Sequence, residues 1–256
     1  AFELSRMLKS ELTVLYVCDV ENDEDYHSSS NTESVINNHQ QLLEEFCSLN
    51  LNDKFENLDI TATVINGKNI AQKILSFIKD LNFQFLVMGT RDSSTFKPMT
   101  FGSITNKMIE SSPVPILAIP PTCKFKEPKI IVYTSDFEED DIYNLKELVK
   151  IFDPQKSKII VLHIYAYEEH MKHERLIGFQ TLLAEKVSLD NFYFELIFSH
   201  NTFKSLQTFI NDSNADIVAM MQRKNKSEFK NMIHKDLVKK MDNNTHIPLL
   251  SFNTVY

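Results

Sequence analysis

The residues with the clearest chemical pattern lie in a glycine-containing loop in the first half of the chain. Gly89 ends an apolar run, Arg91 and Asp92 follow in a polar segment, and Gly102 and Ser103 then open a helical pattern. A helix N-terminus offers free N–H groups and the positive end of the helix dipole, and glycine lets a backbone approach a phosphate closely. The spacing therefore predicts a phosphate-binding loop between a strand and a helix.

Other patterns that could carry chemistry are weaker. His163, His170 and His173 lie close in sequence and would suit zinc together with Glu169 or Glu174, but a solvent-exposed helix is the better explanation. We therefore predict no metal site. The chain has no Gly-x-Ser-x-Gly or His-Glu-x-x-His motif. We accordingly assign no catalytic residue and do not expect an efficient enzyme.

The elements that must position the loop alternate between strands and helices. In the first half, the pattern predicts helices over residues 1–10, 32–49, 69–81 and from 102 onward, and strands over residues 12–20, 59–64, 85–90 and 114–119. In the second half, it predicts strands over residues 129–133, 157–165, 192–198, 216–221 and 247–252, and helices over residues 142–152, 168–187, 202–211 and 231–241. Such alternation indicates parallel sheets covered by helices on both faces. The helix over residues 32–49 is expected to bury Val35, Leu42, Leu43, Phe46 and Leu49.

The two halves of the chain match each other, which indicates an internal duplication. A proline-bracketed polar segment separates them. We predict a first domain over residues 1–121, a linker over residues 122–128 and a second domain over residues 129–256. The second half has a strand before its first helix that the first half lacks, so we expect about 25 further residues with a central strand to precede Ala1 in the full-length protein.

The loop and its flanking strands resemble the signature of the universal stress proteins, in which Gly, two residues, Gly, nine residues, Gly and Ser or Thr follow one another. Here the signature positions hold Gly89, Asp92, Gly102 and Ser103. Residues 133–137 are also similar to the family's end of strand one. The resemblance covers nearly the whole chain as two tandem domains. It implies a Rossmann-like α/β fold (adenine nucleotide alpha hydrolase-like), in which each domain has a five-stranded parallel sheet of order 3-2-1-4-5.

The resemblance also implies a ligand and a mode of pairing. Some members of the family bind ATP, with the glycine loop around the phosphates and the aspartate that ends strand one beside the adenosine. Domains of the family pair through their fifth strands, here Val114–Ile119 and Ile247–Phe252, within one chain or in a homodimer. We therefore expect ATP, with Mg²⁺, in the first domain. The residues expected to contact nucleotide are Gly89, Arg91, Asp92, Gly102, Ser103 and Asp136.

Substitutions within the signature leave two hypotheses open. The carboxylate of Asp92 would repel a polyphosphate by roughly 1 kcal/mol at 4 Å in water, and more in a drier site, unless Arg91 neutralises it. In the second half, the signature positions hold Gln222, Asn225, Lys235 and Asp236. Asp136 is retained there, although an aspartate between a strand and a helix is also an ordinary N-cap. The chain is thus either a stress-linked module that binds ATP in its first domain or a dimer scaffold in which both sites are vestigial.

Composition limits the class of protein and its partners. The 256 residues include 43% hydrophobic residues and carry a net charge of -8, which disfavours nucleic acids and anionic membranes as partners. The three cysteines are too few and too widely spaced for a disulfide scaffold. No apolar run approaches the roughly 20 residues of a membrane span, and the first residues do not resemble a signal peptide. We expect a cytoplasmic protein.

Overall fold

A computed structural model of the chain describes residues 1–22, 31–51, 60–90, 102–166, 172–222 and 247–253. The chain forms two compact units, Ala1–Asn82 and Phe83–Tyr256. This division follows compactness, and it differs from the division by sequence repeat because the last two strands of the first half pair into the sheet of the second half. The domain boundaries based on the repeat remain a prediction.

The first unit contains a two-stranded parallel sheet with helices. Its elements are α1 (Phe2–Leu8), β1 (Leu12–Cys18), a short 3-10 turn (Val20–Asn22), α2 (Thr32–Leu51), β2 (Ile60–Asn66) and α3 (Ile70–Asp80). β1 and β2 pair from Leu12 with Ile60 to Cys18 with Asn66. A small core of Cys18, Val20 and Val35 lies beside the sheet.

The apolar face of α2 is only partly buried. Val35 and Cys47 are buried, whereas Leu42, Phe46 and Leu49 are 59%, 58% and 80% exposed. The prediction that these last three residues face a core is wrong. A sheet of two strands can cover only part of a helix of 20 residues. The residues beyond that cover therefore stay in contact with solvent.

The second unit contains a seven-stranded sheet flanked by helices. Its strands are β3 (Leu86–Gly89), β4 (Ile116–Ile119), β5 (Ile130–Thr134), β6 (Lys158–Tyr165), β7 (Phe192–Phe198), β8 (Ile217–Gln222) and β9 (Leu249–Asn253). Its described helices are α4 (Ser103–Ser111), α5 (Glu139–Ile151), α6 (Lys172–Ala184) and α7 (Thr202–Asp212). The strand order is β3-β4-β9-β8-β5-β6-β7. The central strands are buried on both faces, as a parallel sheet between helices requires.

The strand order confirms the predicted Rossmann-like topology of the second half. Its five strands lie side by side as β9-β8-β5-β6-β7, which is the order 3-2-1-4-5 read from the other end. In the first half, β1 and β2 are equivalent to strands two and three of this order and form the sheet of the first unit. β3 and β4 are equivalent to strands four and five and belong to the sheet of the second unit. Strand one separates these pairs in the order 3-2-1-4-5, and no described residues of the first half supply it.

The fifth strands of the two halves pair with each other inside the chain. β4 and β9 run antiparallel, with Ile116 opposite Ser251 and Ala118 opposite Leu249. The amide of Asn253 adds a hydrogen bond of 2.8 Å to the carbonyl oxygen of Ser112. This pairing satisfies both strand edges within one molecule. Pairing of the same strands between two chains remains a prediction.

None of the helices in the described ranges is long and apolar enough to cross a membrane.

Candidate functional site

The predicted loop begins at Gly89, the exposed last residue of β3. Gly89 is exposed and pairs with Ile119 of β4. No atom lies within 4 Å of the place that a Cβ on Gly89 would take, and Gly89 has no positive φ. Neither backbone geometry nor packing within the described residues therefore requires a glycine here. Arg91 and Asp92 lie outside the described residues.

The loop ends at the uncapped N-terminus of α4. Gly102 is the N-cap residue, and no side chain of the described residues makes a capping hydrogen bond there. The first intrahelical bond runs from the N–H of Asn106 to the carbonyl oxygen of Gly102, at 3.0 Å. Ser103, the first residue of the helix, is exposed. Within the described part of the chain, no side chain thus caps the N–H groups of the first turn, which carry the positive end of the helix dipole.

A buried hydroxyl lies beside the start of the loop. Thr90 follows Gly89, and its N–H donates to the carbonyl oxygen of Ile119 at 2.9 Å. The Oγ1 atom of Thr90 is buried and has no hydrogen-bond partner in the described part of the chain. Such a hydroxyl costs free energy unless water or a ligand satisfies it.

In the second half, the end of β5 is organised by the buried carboxylate of Asp141. It accepts hydrogen bonds from the hydroxyls of Tyr133 and Ser135, both at 2.8 Å. It also accepts the backbone N–H groups of Asp136 and Glu138, at 3.1 and 3.2 Å. Asp141 is completely buried. Four donors therefore hold one carboxylate and fix the turn between β5 and α5.

Asp136 lies in this turn but does not cap the helix. The N-cap of α5 is Glu138, so the N-cap alternative for Asp136 is wrong. The carboxylate of Asp136 lies 3.7 Å from Nδ1 of His163, and the same Nδ1 donates to the carbonyl oxygen of Ser135 at 2.7 Å. The guanidinium of Arg175 donates to the carbonyl oxygen of Asp136 at 3.0 Å. Asp136 is thus placed at the carboxyl end of the sheet by contacts from β6 and α6.

Phe137 follows Asp136 and has an unusual backbone conformation. Its φ is 58°, in the left-handed region that a bulky residue seldom adopts. Its ring lies 4.9 Å from the ring of His163 and 5.2 Å from that of Phe179. The same ring lines a groove of about 440 Å³ between α5 and α6. Aromatic contacts on both sides hold this strained turn in place.

Sequence reasoning missed three residues of this site, namely His163, Arg175 and Asp141. The sequence places His163 only among candidate zinc ligands, whereas in the structure it contacts the turn after β5. In the described ranges, no three His, Cys, Asp or Glu side chains form a metal-binding group, and His170 and Glu169 lie outside them. The acidic first turn of α5 is the only sequence signal that could have pointed to Asp141.

The signature positions of the second half are described only in part. Gln222 ends β8 and is buried, with 5% of its surface exposed. Asn225, Lys235 and Asp236 lie outside the described residues, as does the predicted helix over residues 231–241.

The fold and the two strand-end turns define a class of protein: a Rossmann-like α/β protein with two tandem repeats. Residues 1–120 match the model of the universal stress protein family, which identifies this half of the chain as a universal stress protein domain. The second half has the Rossmann-like strand order as well, so the fold occurs in tandem. No curated protein sequence matches the chain significantly.

Solved structures show the same fold over the whole chain. A universal stress protein from Archaeoglobus fulgidus is 19% identical with a TM-score of 0.69, and the match covers 97% of this chain and 90% of that one. A universal stress protein from Pseudomonas aeruginosa UCBPP-PA14 is 12% identical with a TM-score of 0.61, over 99% and 87% of the two chains. A functionally unknown protein from Pseudomonas aeruginosa PAO1 is also 12% identical with a TM-score of 0.61, over 99% and 86%.

Proposed function

We propose that this universal stress protein is a binding module that holds ATP, with Mg²⁺, in its first-half loop through Gly89, Arg91, Asp92, Gly102 and Ser103. One observation carries the proposal. Gly89, at the start of the loop, is a glycine that neither packing nor backbone geometry of the described residues requires. At the end of the loop, no described side chain caps the N-terminus of α4. A phosphate that approaches the backbone at this point would explain both features.

Each group in the loop has a physical role in this proposal. The N–H groups of the first turn of α4 donate to phosphate oxygens, and the hydroxyl of Ser103 adds a further donor. The buried hydroxyl of Thr90 gains the partner that it lacks among the described residues. Arg91 neutralises Asp92, whose carboxylate can also share a magnesium ion with the phosphates. In the second half, Asp136 lies beside an adenosine, which is the place that the family resemblance gives to the aspartate that ends strand one.

Calorimetric titration of the full-length protein with ATP tests the proposal. Gly89→Ala adds a methyl group at a position that is open in the described structure, so the fold should tolerate it while the approach of the phosphate is blocked. We expect an affinity loss of about tenfold or more, equivalent to ~1.4 kcal/mol. Gly178→Ala is the matched control, because Gly178 also has no atom within 4 Å of its Cβ position but lies in α6. Absence of binding heat at millimolar ATP, or an equal loss in both variants, would contradict the proposal.

A second candidate function is a scaffold that binds no nucleotide. The antiparallel pairing of β4 with β9 favours it, because the two repeats are joined through a continuous sheet without any ligand. In that case the melting temperature should be the same with and without ATP, ADP and AMP, since a ligand stabilises only the state that binds it. A shift that increases with ATP concentration would exclude this function.

The proposed location is the cytoplasm. Cys18, Cys47 and Cys123 form no disulfide in the described part of the chain, and Cys18 and Cys47 are buried. Reduced thiols fit a reducing compartment. Cell fractionation with an antibody against the chain tests this location. Recovery in a secreted or membrane fraction would contradict it.

A further inference from the structure

One long strand edge of the seven-stranded sheet has no partner among the described strands. The sheet ends with β3 on one side and with β7 on the other. β3 has four residues, whereas β7 has seven. The fifth strands, β4 and β9, lie inside the sheet and pair with each other, so their edges are already used. β7 therefore offers the longer open edge for any further association of the second unit.

The hydrogen bonds of β7 show which backbone groups point outward. The carbonyl oxygen of Asn191 accepts the N–H of Ile159, and the N–H of Ser199 donates to the carbonyl oxygen of Tyr165, both at 2.9 Å. In a parallel ladder, alternate residues bond to the same neighbour, so the odd-numbered residues of β7 face β6. The N–H and C=O groups of Phe194, Leu196 and Phe198 consequently point away from the sheet.

The side chains of β7 favour pairing rather than prevent it. The strand reads Phe-Tyr-Phe-Glu-Leu-Ile-Phe, with Glu195 as its one charged residue. Tyr193 and Phe198 are 45% and 52% exposed. Edge strands that remain unpaired are usually protected by lysine, proline, a bulge or short length. β7 contains no lysine or proline, and its pairing with β6 runs without interruption through all seven residues.

We propose that β7 pairs antiparallel with β7 of a second copy of this chain, about a two-fold axis at Leu196. An isologous pairing of identical edges closes after two subunits and leaves neither of these edges open. The contact is a single pair of strands, smaller than the roughly 1,600 Å² of a standard interface. The dimer is therefore weak and depends on protein concentration.

Glu195 decides the register of this pair. An axis at Glu195 would place the two carboxylates in a directly opposed pair with Cα atoms about 4.5 Å apart, where like charges are destabilising. Moving the axis by one residue, to Leu196, removes this repulsion and places Glu195 opposite Ile197 of the second copy. Phe194 then lies opposite Phe198 of the second copy, and aromatic cross-strand pairs are stabilising. The outward N–H and C=O groups of Phe194, Leu196 and Phe198 then form hydrogen bonds with the same strand of the second copy.

Sedimentation equilibrium of the full-length chain, from micromolar to millimolar concentration, tests the dimer. Phe198→Lys places a charge on the edge and should raise the dissociation constant by about tenfold or more. Leu182→Lys is the matched control, because Leu182 is 50% exposed and lies on α6, and it should leave the constant unchanged. A monomer at millimolar concentration would overturn the proposal. A dimer that Phe198→Lys leaves intact, or that both variants weaken equally, would also overturn it.

Disulfide trapping tests the register in a Cys123→Ser background, which removes the thiol that is not buried. Leu196→Cys should cross-link with itself, since the Cα atoms of a hydrogen-bonded pair lie about 5.5 Å apart, within disulfide range. Phe194→Cys should not, because two copies of residue 194 are then four positions out of register. Cross-linking only in a mixture of the two variants would indicate an axis at Glu195 and would overturn the assignment. Failure of Leu196→Cys to cross-link would overturn it as well. Unchanged urea unfolding of each variant shows that the fold is intact.

Discussion

The carboxylate of Asp216 accepts the backbone N–H of Lys129 at a distance of 2.7 Å. It also accepts the N–H of Ile130, at 2.9 Å, and forms an ion pair with the ammonium group of Lys126. Asp216 directly precedes β8, Lys129 directly precedes β5, and Ile130 is the first residue of β5. One nearly buried carboxylate therefore joins two adjacent central strands to the segment that the sequence predicts as a linker.

This carboxylate makes stability depend on pH. Burial raises the pKa of Asp216, but the hydrogen bonds from Lys126, Ile130 and Lys129 and the charge of Lys126 outweigh burial, so its pKa lies below the ordinary value of 3.8. A depressed folded-state pKa contributes stability that is fully present above the unfolded-state pKa and is lost as pH falls through the folded-state value. We expect Asp216→Asn to lower the free energy of unfolding at pH 7 by about 1–3 kcal/mol.

Urea unfolding between pH 7 and pH 3 measures this effect. The difference between wild type and Asp216→Asn should shrink as the pH falls below about 4. Asp212→Asn, an exposed aspartate at the end of α7, is the control and should follow the wild-type curve. A difference that stays constant over this range would refute the assigned role of Asp216.

The hydroxyl of Tyr133 gives a second prediction. It is buried, donates to Asp141 at 2.8 Å and accepts from the amide of Asn144 at 3.1 Å. Tyr133→Phe removes both bonds and leaves Asp141 with three of its donors, so we expect a loss of about 1–3 kcal/mol in the free energy of unfolding. Tyr143→Phe alters a side chain that is 58% exposed and should change stability by less than about 0.5 kcal/mol. Equal effects of both changes on chemical unfolding would argue against a buried network around Asp141.

Two helices capped by an asparagine side chain, one in each compact unit, provide a third prediction. The side chain of Asn69 accepts the N–H of Gln72 at 3.1 Å, and that of Asn201 accepts the N–H of Lys204 at 3.0 Å. Replacing either cap by alanine should destabilise its helix by about 1 kcal/mol. Hydrogen exchange followed by mass spectrometry reports where protection falls. Loss of protection in α3 on Asn201→Ala, with α7 unaffected, would contradict the assignment of the caps.

Thiol reactivity gives a fourth prediction. Cys18 and Cys47 are buried, whereas Cys123 is partly exposed. Burial raises the pKa of the Cys47 thiol, and the charge of Glu44 raises it further, so both access and thiolate formation are reduced there. Burial also raises the pKa of Cys123, so its reaction should speed up as pH rises. With Ellman's reagent, the native protein should release one equivalent quickly, and Cys123→Ser should abolish this phase. Two fast equivalents in wild type would contradict the burial of Cys18 and Cys47.

The internal repeat and the periodicity of the apolar residues were enough to predict most of the fold. The strand predicted over residues 192–198 coincides with β7, and the predicted order 3-2-1-4-5 is found in the second unit. Short apolar runs in parallel sheets are buried on both faces, so composition alone marks them. The apolar face of α2 was predicted less well, because burial of Leu42, Phe46 and Leu49 depends on how much sheet lies beside the helix.

For the candidate site, the sequence determined the loop chemistry: two glycines and a serine at a spacing typical of a phosphate loop. Tertiary structure decided the rest. His163 and Arg175 reach Asp136 only because β6 lies beside β5 and α6 follows it, and a contact over 27 or more positions leaves no local sequence pattern. Likewise, the sequence identifies the strand 192–198, but only the strand order places it at the edge of the sheet, where its outward N–H and C=O groups lack a partner among the described strands.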